Sequence, residues 1–161
     1  MMDVGGSMDP YGQLVSQLFS AAKRATHWRE LRTYYFHNCI YGKLFKTDGL
    51  NESIRVRDVI ASSGKHYKLV IVGDACMASY ELLGAPSWGG DDGMPGIAWL
   101  AVLREHFERA IWLNPDGPRG WNHPTVEAIR GVFPMHPLTL DGLGEAVTEL
   151  VRGARTRIAR S

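Results

Sequence analysis

This chain of 161 residues has few cysteines, almost no net charge and no long apolar run. The two cysteines, Cys39 and Cys76, lie far apart, which indicates a reducing compartment and no disulfide framework. A formal net charge of +1 gives the whole chain no electrostatic attraction to nucleic acid or to an acidic membrane surface. No apolar run approaches the roughly 20 residues that a membrane-spanning helix needs. We therefore expect a single cytoplasmic domain without nucleic-acid or membrane partners.

Apolar runs alternate with amphipathic stretches along the chain. Strands are predicted at 33–41, 43–47, 67–72, 110–113 and 135–138, and helices at 9–22, 51–63, 97–107, 124–132 and 141–151. Repeated alternation of strand and helix favours an α/β fold, with a mainly parallel central sheet and helices on both faces. The predicted domain covers residues 1–153, and residues 154–161 form a basic C-terminal tail.

The strongest strand prediction, residues 67–72, ends at Gly73 and Asp74. Its last four residues are continuously apolar, as expected for a strand covered on both faces. Ligands of open parallel sheets bind at the carboxyl ends of the strands, and we expect Asp3 and Asp74 at that edge. Ser7 follows in the same turn as Asp3. These three oxygen donors suit a hard divalent cation such as magnesium.

The stretch His37-Asn38-Cys39 contains side chains that can bind a metal or act as a nucleophile. Alternation along the predicted strand sends His37 and Cys39 to one face of the sheet and Asn38 to the other. Packing is therefore the better interpretation of this stretch. Cys76 is likewise interpreted as a plain buried cysteine rather than a reactive thiol.

Five separated stretches of the chain form a distinctive series. They are Asp-Val-Gly-Gly-Ser-Met at 3–8, Tyr-Tyr-Phe-His-Asn-Cys at 34–39, Tyr-Lys-Leu-Val-Ile-Val-Gly-Asp-Ala at 67–75, Trp-Leu-Asn-Pro at 112–115 and Pro-Leu-Thr-Leu-Asp-Gly-Leu at 137–143. Together they resemble the von Willebrand factor A (VWA) domain, and more narrowly its CoxE-like subfamily of bacterial proteins. The resemblance spans nearly the whole chain and implies a Rossmann-like α/β fold of three layers.

The resemblance also implies a metal-ion-dependent adhesion site (MIDAS). Such a site binds Mg²⁺ or Mn²⁺ and leaves one coordination position open for a carboxylate of a protein partner. The motifs assign Asp3, Ser7 and Asp74 to the metal, and Thr47 is one of the hydroxyls nearest to the place of the family's threonine. Gly5 stands where the family commonly has a serine ligand. The implied protein is a binding module and not an enzyme.

The partner is also implied by the resemblance. Genes of this family often accompany MoxR-type AAA+ ATPases, so the implied partner is such an ATPase or its client protein under maturation. Partner contacts are predicted at Gly5, and at Asp91 and Asp92 in the glycine-rich loop 84–96. A solvated loop is the alternative interpretation of the two aspartates.

The start of the chain departs from the family pattern. The family's first strand runs through several apolar residues into the motif, whereas only Met1 and Met2 precede Asp3 here. That strand is expected in the middle of the sheet, where shortening it leaves backbone groups of neighbouring strands unpaired. We therefore expect a truncated central first strand, in a fragment of a longer protein or in a sequence with a mis-assigned start.

Two other functions are compatible with the residues. In the first, Asp3 is the nucleophile of a magnesium-dependent phosphohydrolase, although Gly5 stands where a second aspartate would provide the general acid. In the second, the chain is a degenerate structural domain that binds no metal. Asp3 and Ser7 then belong to a helix-capping turn, and Asp74 to an ordinary turn at a strand end.

Overall fold

One mixed β-sheet forms the centre of the fold, which a computed structural model describes over residues 1–24, 29–85 and 93–152. Over these residues the sheet has seven strands: β1 (Met2–Asp3), β2 (Tyr35–Phe36), β3 (Lys43–Phe45), β4 (Ser53–Arg55), β5 (Lys68–Val72), β6 (Arg109–Asn114) and β7 (Met135–Pro137). Their order across the sheet is β4-β3-β2-β1-β5-β6-β7. Five neighbouring strands run parallel to one another, namely β2, β1, β5, β6 and β7. In contrast, β3 is antiparallel to both of its neighbours. The prediction of a mainly parallel central sheet is confirmed.

Six α-helices lie in the described part of the chain. They are α1 (Gly12–Arg24), α2 (Val56–Ser62), α3 (Ser79–Leu83), α4 (Gly96–His106), α5 (Pro124–Arg130) and α6 (Leu140–Arg152). Side chains of a strand alternate between the two faces of a sheet. Leu69 and Ile71 of β5 accordingly pack in one apolar cluster with residues of α2 to α5, and Val72 packs in another with residues of α1 and α6. The predicted helices on both faces are therefore present.

β1, which has only two residues, lies at the centre of the sheet, where it pairs in parallel with β2 and with β5. The α-amine of Met1 continues this pairing by donating to the backbone oxygen of Val70 at 2.7 Å. Burial lowers the pKa of this amine to about 5, because desolvation disfavours its charged form. The central position of β1 puts Asp3 between the ends of two neighbouring strands.

The segment 51–63, predicted as one helix, begins as a strand and becomes helical only at Val56. Its first part is β4, which pairs with β3 at three successive positions. The N–H of Val56 then donates to the backbone oxygen of Gly42 at 2.8 Å. Backbone pairing with β3 therefore makes the first residues of this segment a strand, although their apolar periodicity is helical.

The strand predicted at 33–41 is much shorter in the structure, where β2 ends at Phe36. The next three residues form a tight turn, in which the N–H of Cys39 donates to the oxygen of His37 at 2.6 Å. Asn38, at the centre of this turn, has a φ of 56°. The expectation that these three side chains alternate along a strand was therefore wrong.

No helix among the described residues has both the length and the apolar character needed to cross a membrane. The predicted basic tail, 154–161, lies outside the described residues, and so do Asp91 and Asp92. The roles expected of these residues therefore stay predictions.

Candidate metal centre

Polar residues end or follow four neighbouring parallel strands at one edge of the sheet. Asp3 is the last residue of β1 and Asn114 the last of β6, while Asn38 follows β2 and Asp74 follows β5. Because the carboxyl ends of parallel strands meet at the same edge, the fold brings these four residues into one region. The sequence predicted this position for the two aspartates. It did not predict it for the two asparagines.

Asp3 is almost fully buried, with 3% of its surface exposed. Its Oδ1 accepts hydrogen bonds from the backbone N–H groups of Gly5 at 2.8 Å and Asn38 at 2.9 Å, whereas Oδ2 receives none from a described residue. Burial raises the pKa of Asp3, the two backbone hydrogen bonds oppose this rise, and the nearby carboxylate of Asp74 adds to it. A cation beside Oδ2 would stabilise the ionised carboxylate and so remove the cost of its burial.

Asp74, the second buried carboxylate, belongs to a loop that is held in place by hydrogen bonds from buried side chains. Its Oδ1 accepts a hydrogen bond from the N–H of Cys76 at 3.0 Å, and Oδ2 receives none from a described residue. Asn114 Nδ2 donates to the backbone oxygen of Asp74 at 2.9 Å. Thr125 Oγ1 donates to the backbone oxygen of Ala75 at 2.8 Å. Because Asn114 and Thr125 are fully buried, these bonds fix the loop and the direction of its aspartate.

Gly73 allows the loop after β5 to approach Asp3. A Cβ on residue 73 would lie 3.1 Å from the Cβ of Asp3 and 3.3 Å from the ring of Trp112. The Trp112 Nε1–H also donates to the backbone oxygen of Gly73 at 2.7 Å. Residue 73 is therefore enclosed on two sides, and a larger side chain would compete with Asp3 for the same space.

The loop after β1 continues as a 3₁₀ segment, Gly6–Tyr11, that leads into α1. Met8 is buried, and its N–H donates to the backbone oxygen of Gly5 at 2.9 Å. The side chain of Ser7 is exposed and makes no hydrogen bond with a described residue. Gly5 is itself buried, and its N–H is bonded to Asp3. The structure therefore gives Gly5 a place inside the turn rather than an exposed surface for a partner.

Thr47 lies in the turn between β3 and β4. β3 is antiparallel to β2, and its last residue, Phe45, pairs with Tyr35, the first residue of β2. The turn therefore lies at the amino ends of the parallel strands, which is the edge opposite Asp3. The structure does not bring Thr47 to the other expected metal ligands, and we leave it out of the candidate site.

A side-chain hydrogen bond joins the first loop to the end of β6. Tyr11 OH donates to Oδ1 of Asp116, and this bond is the main reason why the pKa of Tyr11 is raised. The N–H of Asp116 donates to Oδ1 of Asn114 at 2.9 Å, which holds Asp116 in place. The sequence did not predict this contact, because 105 positions separate its two partners.

A cleft of about 350 Å³ opens beside Asp3, between α1 and the strands β1 and β2. Its walls include Asp3 at the carboxyl edge, Ser16 of α1, and Asp48 in the β3–β4 turn. The cleft therefore extends along the sheet towards the amino ends of the strands.

The oxygen donors of this edge fit a hard divalent cation. Mg²⁺ and Mn²⁺ prefer carboxylate, carbonyl and water oxygens, and Asp3 and Asp74 each have a carboxylate oxygen without a hydrogen bond from a described residue. Ser7 adds an exposed hydroxyl in the first loop. The described residues contain no group of three or more His, Cys, Asp and Glu that could hold a metal ion. A cation here would therefore take much of its shell from hydroxyl, amide and water oxygens.

Comparison with known proteins found no matching family model, no similar curated protein and no similar solved structure. The link to VWA domains therefore stays a resemblance carried by sequence motifs. Three residues of the site were not predicted from the sequence and are known only from the structure: Asn38, Asn114 and Thr125. For the two asparagines, the sequence signal that could have found them is their position at the end of an apolar stretch.

Proposed function

We propose that this chain is a protein-binding module of the VWA type that depends on a divalent cation. One observation carries the proposal: Asp3 is 3% exposed as a residue, and its carboxylate Oδ2 receives no hydrogen bond from a described residue. A second buried carboxylate, Asp74, lies near enough to raise the pKa of Asp3. Two such carboxylates repel each other, and a cation held between them removes the repulsion.

Mg²⁺ or Mn²⁺ is the cation that we propose. Asp3 and Asp74 would hold it directly or through water, and Ser7 would contribute its hydroxyl. Magnesium takes six oxygen ligands at about 2.1 Å and usually retains several waters. With so few protein ligands, the bound ion would keep exchangeable waters, and a carboxylate of a protein partner could replace one of them.

The class of partner comes from the resemblance to CoxE-like VWA domains. It is a MoxR-type AAA+ ATPase, or the client protein whose maturation or assembly such an ATPase assists. In this proposal an aspartate or glutamate of the partner completes the coordination of the cation. Asp91 and Asp92 stay predicted as further partner contacts. The α/β fold by itself is compatible with many other functions, so the partner has to be tested directly.

Isothermal titration calorimetry with Mg²⁺ and Mn²⁺ tests the cation. We expect saturable binding to the unaltered chain and no measurable binding to the Asp3→Asn variant. The matched control is Asp58→Asn in α2, which removes an exposed carboxylate paired with Arg55 and should leave binding unchanged. A flat titration of the unaltered chain would favour a structural domain that binds no metal.

Proton relaxation of water by bound Mn²⁺ tests the open coordination position. Added acetate should displace water from the ion and lower this relaxation. A MoxR-type ATPase should bind the chain in Mg²⁺ and dissociate in EDTA, and it should not bind the Asp3→Asn variant. Binding that survives both the chelator and the substitution would exclude a bridge through the metal.

A further inference from the structure

The side chain of Asn38 occupies the space that a side chain on Gly5 would need. A Cβ on residue 5 would fall well inside 3.0 Å of Asn38 Oδ1, and 3.1 Å from Asp3 Oδ1. The amide oxygen and the carboxylate therefore border the same small volume. We propose that Asn38 Oδ1 is a ligand of the cation at Asp3, in the place that a hydroxyl side chain at position 5 would otherwise fill. This inference rests on the proposed metal-binding function.

The backbone of Asn38 is held in an uncommon conformation. Its φ of 56° lies in the left-handed region, which asparagine adopts more readily than most residues but still at some cost. The tight turn of residues 37–39 and the hydrogen bond from Asn38 N–H to Asp3 Oδ1 maintain this conformation. The same backbone that supports the Asp3 carboxylate therefore also directs the Asn38 side chain towards it.

The orientation of the amide group follows from its hydrogen bond to α3. Asn38 Nδ2 donates to Oε1 of Glu81 at 3.4 Å. Because a carboxylate accepts hydrogen bonds and does not donate them, the amide nitrogen has to face Glu81 and the oxygen has to face Gly5. Glu81 is itself positioned by the N–H of Ala78, which donates to its Oε2 at 2.9 Å. The oxygen of Asn38 thus points towards Asp3 for a structural reason.

Two oxygens of these side chains have no hydrogen-bond donor among the described residues. One is Asn38 Oδ1, and the other is Oδ2 of the almost fully buried Asp3. A divalent cation at Asp3 would give these oxygens a partner, directly or through the waters it retains, and such cations take neutral amide oxygens as readily as hydroxyls.

The test measures the affinity for Mn²⁺ by calorimetry in Asn38→Gly. Glycine adopts a positive φ without strain, so this variant should fold at least as stably as the unaltered chain while lacking the amide oxygen. We expect its dissociation constant for Mn²⁺ to rise about tenfold or more. The matched control is Leu50→Gly, which relieves another positive φ, also 56°, in the β3–β4 turn and should leave the affinity unchanged.

Two further variants test whether the side chains of residues 5 and 38 compete for the same space. Gly5→Ser alone should weaken Mn²⁺ binding, because the new side chain collides with Asn38. Gly5→Ser combined with Asn38→Gly should recover affinity, because the serine hydroxyl then has room beside Asp3. Recovery in the double variant is not expected if Asn38 has only a structural role.

The outcomes separate this inference from the proposed function. If the unaltered chain binds Mn²⁺ and Asn38→Gly binds it equally well, Asn38 is not a ligand, while the metal site itself stands. Equal losses in Asn38→Gly and Leu50→Gly would also overturn the inference, because they would trace the effect to the backbone. If the unaltered chain binds no Mn²⁺, the proposed function fails, and the role of Asn38 fails with it.

Discussion

The side chain of Asp3 lies against Gly73, with its Cβ 3.1 Å and its Oδ2 3.4 Å from the position that a Cβ on residue 73 would take. The loops after β1 and β5 therefore meet without a side chain between them. Any group added to residue 73 has to displace either Asp3 or the ring of Trp112 behind it. Stability and the geometry of the candidate site thus depend on the same contact.

Gly73→Ala should therefore lower both the stability of the fold and the affinity for Mn²⁺. Overpacking of a filled interior typically costs about 1–3 kcal/mol, and we expect a loss of that size in the free energy of unfolding. Urea denaturation and calorimetry measure the two effects. Gly117→Ala is the control, because a Cβ there meets nothing within 4 Å. Equal stability of the two variants would mean that the contact at Gly73 is easily relaxed.

Asp3→Asn should stabilise the metal-free protein near neutral pH. Burial raises the pKa of Asp3 in the folded state. The proton on the Asp3 carboxyl therefore contributes stability that is complete below the ordinary pKa of 3.8. This contribution is lost as the pH rises through the folded-state pKa. Asparagine keeps the Oδ1 acceptor without the charge. Urea denaturation in EDTA between about pH 3 and pH 7 checks this dependence.

Added Mg²⁺ provides the second half of this test. It should raise the free energy of unfolding of the unaltered chain and leave that of Asp3→Asn unchanged, since a ligand that binds only the folded state stabilises it. If the variant were no more stable than the unaltered chain in EDTA, the cost that we assign to the buried charge would be refuted.

The buried α-amine of Met1 should make the stability of the 161-residue chain depend on pH. Its pKa falls from 8.0 in the unfolded chain to about 5 in the fold. The unfolded chain therefore binds the proton first, and the free energy of unfolding should decrease by about 4 kcal/mol as the pH falls from about 8 to about 5. The measurement is made in the Asp3→Asn variant, because ionisation of Asp3 changes the free energy of unfolding with pH in the opposite direction. Two valines added before Met1 turn the amine into an amide, and the dependence should disappear.

Tyr11→Phe should uncouple the first loop from the end of β6. The substitution removes the hydroxyl that donates to Asp116 and leaves the ring in place. A hydrogen bond to a charged group contributes about 1.5–3 kcal/mol, and partial exposure places the expected loss at the lower end of this range. Chemical denaturation measures the loss. Tyr80→Phe in α3 is the control, because Tyr80 is 73% exposed and its loss of a hydroxyl should change little.

Sequence periodicity predicted the elements whose signal is local. β5 and β6 each contain a continuous apolar run of four residues, and such runs indicate strands that are covered on both faces. β4 has no comparable signal, because it is a strand through its pairing with β3. The turn at Asn38 was missed for the same reason. Its conformation depends on a hydrogen bond to Asp3, 35 positions earlier in the chain.

The sequence by itself determined the α/β class and the edge of the sheet at which Asp3 and Asp74 lie, since both follow from strands and their ends. Only the tertiary structure decided which other side chains join them. It brought Asn38 beside Gly5 and left Thr47 at the opposite edge. The physical reason is the strand order, which puts β1 between β2 and β5 and sends β3 back in the opposite direction. Strand order depends on contacts between distant residues, and no local pattern of residues records it.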